Sequence, residues 1–185
     1  YKYFYKMKRG ILTDIKSYTP SSYEDFRGDL YTTWKKDEFL NNFQINFPDT
    51  NIEFVHDKIS TSRKNVLRGI HGDYKSHKLM TCSYGEIYYV VVDNRIDSPT
   101  RYQWDWELLT GKNRKMLFIP PGFGSSFYVL SDFMIVNYKW AYDGEYPDVK
   151  DQFSLKWNDP SLNIHWPVNN PIVSERDNGA SLIKI

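Results

Sequence analysis

The stretch KLMTCSYGEIYYVVVD, residues 78–93, decides the fold class. It holds two runs, 78–82 and 86–93, rich in apolar, β-branched and aromatic side chains. Such side chains fit the pleated, half-buried surface of a sheet. Between the runs, Ser83-Tyr84-Gly85 is a tight-turn signal. The stretch therefore predicts two consecutive β-strands joined by a short turn.

Further short runs of the same character lie on both sides of this stretch, at 53–56, 102–109, 115–119, 127–130 and 133–140. Residues 94–99, 111–113, 120–122 and 131–132 supply turn signals between them. The segment GFGSS, residues 122–126, has neither a following helix nor a lysine, so we interpret it as a connection between strands. Short strands at this spacing predict a sandwich or barrel rather than βαβ units.

Helical signals are weak. Residues 35–42 allow a helix of two turns, and the tail beyond Asp159 carries three prolines that favour irregular structure. A chain of 185 residues fits one domain. We expect residues 1–185 to form it, with 1–50 as N-terminal strands or an arm and 151–185 as a C-terminal strap over the barrel.

Composition excludes several classes of protein. Lys and Arg number 24 and Asp and Glu 23, for a net charge of +1, which argues against a nucleic-acid partner. No apolar run approaches the roughly 20 residues of a membrane span, so no membrane partner is expected. The one cysteine, Cys82, has no partner for an internal disulfide, which favours a reducing, cytoplasmic setting.

The segment 65–71 holds the residues best suited to chemistry. It delivers Arg68 and His71 beside Gly69, which permits close approach of another backbone or a ligand. On its own it fits a structural turn equally well. His56, His71 and His77 raise the alternative of a metal-binding barrel, but no His-x-His pair is present, so no metal is expected.

The residues of this segment also carry a family resemblance. Val66–His71 closely resembles the Val-Leu-Arg-Gly-Leu-His motif of the dTDP-4-dehydrorhamnose 3,5-epimerase family. Further family motifs follow in register along almost the whole chain, at 25–28, 78–79, 92–95, 98–100, 119–123, 129–131, 138–139, 157–160, 166–167 and 174–177. The resemblance implies an all-β, cupin-type jelly-roll barrel of two antiparallel sheets with short peripheral helices, working without a cofactor.

The same resemblance implies the roles of the site residues. It makes His71 the base, Asp177 the residue that orients it, and Tyr138 the acid on the opposite face of the sugar. Substrate-binding positions follow from it as well: Lys78 near the enolate oxygen, Arg68 and Arg27 at the diphosphate, with Lys58 and Ser125 near the substrate. Arg27 is expected to reach its site across the interface of a homodimer.

The chemistry is consistent with these residue types. A ketone at C4 of a sugar acidifies the hydrogens on C3 and C5, because the resulting carbanion delocalises into an enolate. Epimerisation then needs a base on one face, an acid on the other, and positive charge near the ketone oxygen. The expected activity is 3-epimerisation or 3,5-epimerisation of a nucleotide-linked 4-keto sugar.

Departures from the family pattern concern the neighbours of the sugar. A family histidine is replaced by Ser125, an aspartate by Tyr89, and the glutamine after the catalytic histidine by Asp73. The Gln and Asn of the family's Gln-Asp-Asn segment become His56 and Lys58. This pattern fits retained chemistry on a different sugar and leaves double epimerisation open.

Within the family, residues 71–73 and 151–153 most resemble a branch that acts on GDP-linked 4-keto heptoses for bacterial capsular polysaccharide. The expected partner is therefore a nucleoside-diphosphate 4-keto sugar. Two alternatives stay open: a cupin 3,4-ketoisomerase of nucleotide sugars, and a non-catalytic sugar-binding barrel.

Overall fold

The computed structural model describes residues 10–43 and 52–183 and contains twelve strands. In chain order these are β1 Lys16–Tyr18, β2 Ser22–Asp25, β3 Gly28–Tyr31, β4 Phe54–Arg63, β5 Leu67–Gly72, β6 His77–Tyr84, β7 Glu86–Asp93, β8 Trp104–Thr110, β9 Met116–Ile119, β10 Phe123–Val129, β11 Phe133–Ala141 and β12 Phe153–Ser154. Two short helices, α1 Phe39–Asn42 and α2 Glu175–Asn178, and 3-10 turns at Lys36–Glu38 and Val149–Asp151 complete the elements.

Ten of the strands form two antiparallel sheets, as the sequence predicts. Sheet I has the order β1-β9-β6-β11-β4, and sheet II the order β12-β5-β10-β7-β8. Strands β2 and β3 form a separate two-stranded hairpin. Among the described residues, no helix is long and apolar enough to cross a membrane.

The main core lies between the two sheets. Ile87, Tyr89 and Val91 on one face of β7 pack in the same cluster as Met134 and Val136 of β11. The other face of β7 is buried too, because the chain after β12 packs against it with apolar residues such as Leu155, Leu162 and Trp166. A strand covered on both faces is apolar at consecutive positions, which explains the run of 87–92.

The predicted turn at 83–85 is reduced to a bend at Gly85, because Ser83 and Tyr84 belong to β6, and no hairpin forms there. Strand β6 pairs with β9 and β11 in sheet I, whereas β7 pairs with β8 and β10 in sheet II. The turn is therefore a corner at which the chain passes from one sheet to the other. Local sequence signals a turn, but the partners of its strands come from residues far along the chain.

Two predicted boundaries are corrected. The interpretation of 122–126 as a connection is wrong. Strand β10 begins at Phe123, and residues Phe123 to Val129, Ser126 included, pair with β7. Gly124 and Ser126 are buried, so the small residues here serve the packing of β10 rather than a loop. Strand β4 also runs past the predicted 53–56 to Arg63, alternating between partly buried and exposed positions.

The predicted helix at 35–42 appears as the 3-10 turn Lys36–Glu38 followed by α1. Phe39 is buried at the start of α1, where its ring meets Phe54 and Phe118 of sheet I. Of the predicted N-terminal arm, residues 1–50, the parts 1–9 and 44–50 lie outside the described residues.

Asp93 at the end of β7 organises the loop that follows. Its buried carboxylate accepts hydrogen bonds from the Arg95 guanidinium at 2.8 and 3.0 Å, from Ser98 Oγ at 2.6 Å and from Thr100 Oγ1 at 2.7 Å. Burial alone would raise the pKa of Asp93, but these hydrogen bonds outweigh it and lower the pKa to about 2. The spacing of Asp93, Arg95, Ser98 and Thr100 therefore serves to order this loop.

Replacing Asp93 with Asn should lower the free energy of unfolding at pH 7 by ~3 kcal/mol, because it removes the charge that these donors bind. The ionised carboxylate stabilises the fold fully above its unfolded pKa of ~3.9 and loses this effect as pH falls towards 2. Denaturant unfolding at pH 7 and pH 3 measures both effects. Asp97→Asn, at an exposed position of the same loop, is the control. Equal loss in both variants would contradict the assignment.

Candidate active site

Strand β5 presents Arg68 and His71 at the cavity between the sheets. The glycine between them has a φ of 111°, and a Cβ there would lie 2.5 Å from the Ser125 carbonyl oxygen of β10. Any other residue would push β10 away from β5. The sequence-based expectation that Gly69 permits close backbone approach is confirmed.

His71 forms a dyad with Asp177. Its Nε2 lies 2.6 Å from Asp177 Oδ1, and the Gly69 amide donates to Asp177 Oδ2 at 3.2 Å. Asp177 is 3% exposed and sits on α2, whose first turn is capped by Ser174. Burial would raise the pKa of Asp177, but the hydrogen bonds from His71 and Gly69 lower it below its usual range.

The dyad fixes the proton on the imidazole. An ionised carboxylate can only accept hydrogen bonds, so His71 Nε2 carries the proton and Nδ1 keeps its lone pair. The His71 side chain is 27% exposed and lines the cavity, which lets that lone pair act as a base. The geometry brings the two residues together as the resemblance implied.

Tyr138 lines the same cavity from sheet I. The cavity has a volume of about 750 Å³ and is lined by both sheets, by residues 172–177 and by the segment 146–152. Burial raises the pKa of the Tyr138 hydroxyl, while the charges of Lys58 and Arg68 oppose the rise. The hydroxyl therefore keeps its proton at neutral pH and can serve as an acid.

The predicted lysines lie beside Tyr138. Lys78 lines the cavity with its Nζ 4.5 Å from the centre of the Trp140 ring. Lys58 lies against the same Trp140 ring, with its Nζ 5.2 Å from the ring centre and 2.5 Å from the Tyr146 hydroxyl. Lys58 reaches the cavity through Tyr146, which lines it.

Arg68 and Ser125 also line the cavity. Arg68 Nε donates to Ser62 Oγ at 2.9 Å, which fixes the guanidinium at the wall. Ser125 pairs in register with His71, so it lies beside the dyad. Burial raises the pKa of the neighbouring Tyr89.

Arg27 lies elsewhere. It occupies the turn of the β2–β3 hairpin, its side chain is 74% exposed, and its partner is Asp25. Within one chain it does not line the cavity with the other predicted site residues.

Some cavity residues were missed from the sequence. Arg176 lines the cavity, with its Nη2 bonded to Gln152 Oε1 at 3.2 Å and to Ser154 Oγ at 3.1 Å. Trp140 and Tyr146 form an aromatic wall with ring centres 5.3 Å apart. Trp140 follows Tyr138 by two residues and therefore shares its face of β11, a periodicity that was available in the sequence.

The histidines considered for metal binding are separated. His56 Nδ1 lies 3.2 Å from the Tyr142 hydroxyl, and His77 stacks on Phe118 at 5.5 Å. Across residues 10–43 and 52–183, no three His, Cys, Asp or Glu side chains form a group that could hold a metal ion.

Comparison with known proteins agrees with this geometry. The family model for dTDP-4-dehydrorhamnose 3,5-epimerase matches residues 10–184. The dTDP-4-dehydrorhamnose 3,5-epimerase of Shigella flexneri is 35% identical over 176 residues, covering 93% of each chain.

Two solved structures share the architecture. The dTDP-6-deoxy-D-glucose-3,5-epimerase of Legionella pneumophila in complex with dTDP-4-keto-L-rhamnose matches with a TM-score of 0.83 and 34% identity, covering 93% of this chain and 89% of that one. A 3'-monoepimerase from Streptomyces bikiniensis in complex with dTDP-quinovose matches with a TM-score of 0.79 and 28% identity, covering 91% and 83%.

The all-β jelly-roll barrel expected from the sequence is thereby confirmed. With the dyad, the facing tyrosine and a family match over nearly its whole length, the chain belongs to the dTDP-4-dehydrorhamnose 3,5-epimerase family and is an isomerase acting on carbohydrates.

Proposed function

We propose that this enzyme epimerises a nucleoside-diphosphate-linked 4-keto sugar through an enolate, with His71 as base and Tyr138 as acid. One observation carries the proposal. The His71–Asp177 dyad and Tyr138 come from opposite sheets and line one cavity. A base and an acid on opposite walls are what inversion at a carbon requires, because the proton must leave one face and return to the other.

Inversion requires two proton transfers, one from the sugar to His71 and one from Tyr138 to the sugar. His71 Nδ1 takes the proton from the carbon beside the ketone, and the electron pair of that C–H bond delocalises onto the ketone oxygen. The ammonium of Lys78 stabilises the enolate oxygen. Tyr138 then gives its proton to the opposite face of the carbon. Solvent removes the proton from His71 and returns one to the Tyr138 phenolate.

Cationic side chains would bind the diphosphate. Guanidinium groups bind phosphate oxygens in pairs, which fits Arg68 at the cavity wall. Arg27 would join from the partner subunit. Ser125 in the cavity wall would contact the sugar, and Lys58, behind Tyr146, would add positive charge near the phosphate.

The nucleotide and sugar are the finer part of the proposal. The relatives and structures named above are described with dTDP sugars, which favours a dTDP-linked 4-keto-6-deoxyhexose. Ser125 and Tyr89 line the cavity where the family pattern has other residues, which fits a different sugar. The GDP-linked 4-keto heptose predicted from residues 71–73 and 151–153 is the second candidate. The named relatives are 3,5-epimerases, which favours inversion at both carbons, and a 3'-monoepimerase among the structural matches keeps inversion at C3 alone as the second candidate.

Product analysis by NMR tests the activity. The purified protein is incubated, in parallel samples with and without EDTA, with a GDP-linked 4-keto heptose or a dTDP-linked 4-keto-6-deoxyhexose. We expect a C3 epimer, with or without a C5 epimer, from at least one substrate, and the ketone should remain at C4. Migration of the ketone to C3 would establish the ketoisomerase alternative. No turnover of either substrate in any sample would support the non-catalytic barrel. Loss of activity only in the samples that contain EDTA would contradict a metal-free reaction.

Variants of the base and the acid should behave differently. His71→Ala should abolish both inversion and exchange of the substrate hydrogen with D₂O. Tyr138→Phe should slow inversion by at least ~100-fold while exchange from the starting face continues in part, because His71 still forms and reprotonates the enolate. Asp177→Asn should cost about 10- to 100-fold, less than the loss of the base.

Mass spectrometry for deuterium and NMR for inversion measure these effects on the same samples. Tyr142→Phe, at the hydroxyl that contacts His56 and not the dyad, is the matched control for Tyr138→Phe. Inversion by Tyr138→Phe at the rate of the unmutated enzyme would show that another group is the acid.

The β2–β3 hairpin supports the proposed homodimer. It exposes Phe26 at 97%, Leu30 at 75% and Tyr23 at 69%, a set of apolar side chains without cover in one chain. Arg27 lies in the same hairpin, so docking of this element on a second copy would carry Arg27 to the partner's cavity.

Subunit mixing tests the shared site. Arg27→Ala should lower kcat/KM by about 10- to 100-fold, because a diphosphate contact is lost. An equal mixture of Arg27→Ala and His71→Ala chains, after exchange of subunits, should recover about a quarter of normal activity, because each mixed dimer has one intact site. No recovery in mixed dimers, or full activity of a monomer, would contradict the arrangement.

A further inference from the structure

Asp73 lies directly behind the lysine at the end of the cavity. It follows β5 in the turn to β6, where its Oδ1 accepts hydrogen bonds from the amides of Lys75 at 3.0 Å and Ser76 at 2.6 Å. Its Oδ2 lies 3.4 Å from Lys78 Nζ. The side chains of Asp73 and Lys78 are 2% and 7% exposed, so both charges are withdrawn from water.

Several groups around Lys78 change the pKa of its ammonium, in both directions. Burial lowers the pKa of the Lys78 ammonium, and the charge of Lys58 on β4 lowers it further. The Trp140 ring on β11 offers its face to the ammonium. Among the described groups that face Lys78, Asp73 supplies the negative charge, and it raises the pKa that burial lowers. Burial lowers the pKa of His77, beside Lys78 in sequence, although the charge of Asp73 opposes this change.

We propose that Asp73 is a positioning residue, whose carboxylate keeps Lys78 as an ammonium directed into the cavity, where the enolate oxygen forms. The inference rests on the proposed epimerisation for its catalytic consequence. A neutral amine at Lys78 could not balance the charge of the enolate, so the reaction depends on a carboxylate that never contacts the sugar.

Asp73→Asn separates this role from a structural one. The amide has the same shape, and its oxygen can still accept the hydrogen bonds from Lys75 and Ser76 that form the turn. Only the negative charge is lost. If Asp73 merely shapes the turn, the ionisation of Lys78 will not change.

Competitive acetylation measures the ionisation of Lys78 without any substrate. Trace acetic anhydride is applied from pH 6 to 11, and mass spectrometry follows the peptide that contains Lys78, with the exposed Lys112 as internal standard. The midpoint for Lys78 should fall by about one to two pH units in Asp73→Asn. Asp132→Asn, which removes an exposed partner of Lys64, should leave it unchanged.

The pH profile of kcat gives the catalytic readout. In Asp73→Asn the alkaline limb should move to lower pH by the same one to two units, with KM little changed. An unchanged midpoint for Lys78 would overturn the proposal. So would a midpoint below pH 7 in the unmutated protein, a result that needs no variant to fold. If the protein turned over no 4-keto sugar, the acetylation result would still decide the role of Asp73, so the two failures are distinguishable.

Discussion

The contact between His71 and Asp177 is the interaction on which the site depends. It joins strand β5 to helix α2 across 106 residues of sequence, and a hydrogen bond with a charged partner of this kind contributes ~1.5–3 kcal/mol. It also fixes the imidazole tautomer. Gly69 completes the arrangement, since its amide binds the second oxygen of Asp177 while its missing side chain admits β10. The Arg-Gly-Ile-His segment is thus needed for the packing of β5 against β10 as well as for the chemistry proposed for His71.

Charge inside the cavity is concentrated although the chain as a whole is nearly neutral. Arg68, Lys78 and Arg176 line one cavity, and Lys58 lies at its edge. The net charge of +1 does not reveal this cluster, because most acidic residues lie outside the cavity. Asp25, for example, pairs with Arg27, and Asp132 pairs with Lys64. A cavity with this charge suits a diphosphate-linked sugar, and its aromatic wall of Trp140 and Tyr146 suits a ring that stacks.

Much of the fold and most of the site could be predicted from the sequence, for identifiable reasons. Strand runs and turns follow local composition, and the family resemblance of residues 66–71 pointed to side chains that the fold brings to one cavity. Pairing is not local, so the corner at 83–85 looked like the link between neighbouring strands. The start of β10 was not predicted, because it consists of glycine and serine, which do not indicate a strand. Close packing on β5 requires small residues there. The ion pair of Asp73 with Lys78 depends on a turn that brings the two together, which their spacing alone does not reveal.

Incubation of the unmutated enzyme with a 4-keto sugar nucleotide in D₂O tests the central claim most directly. If His71 and Tyr138 exchange protons with the sugar through an enolate, every molecule inverted at C3 must carry one deuterium at that carbon, and the ketone must stay at C4. Mass spectrometry with NMR reads both from one sample. Inverted product that retains its original hydrogen at C3 would contradict the account, because the hydrogen would then have moved without passing through solvent-exchangeable side chains.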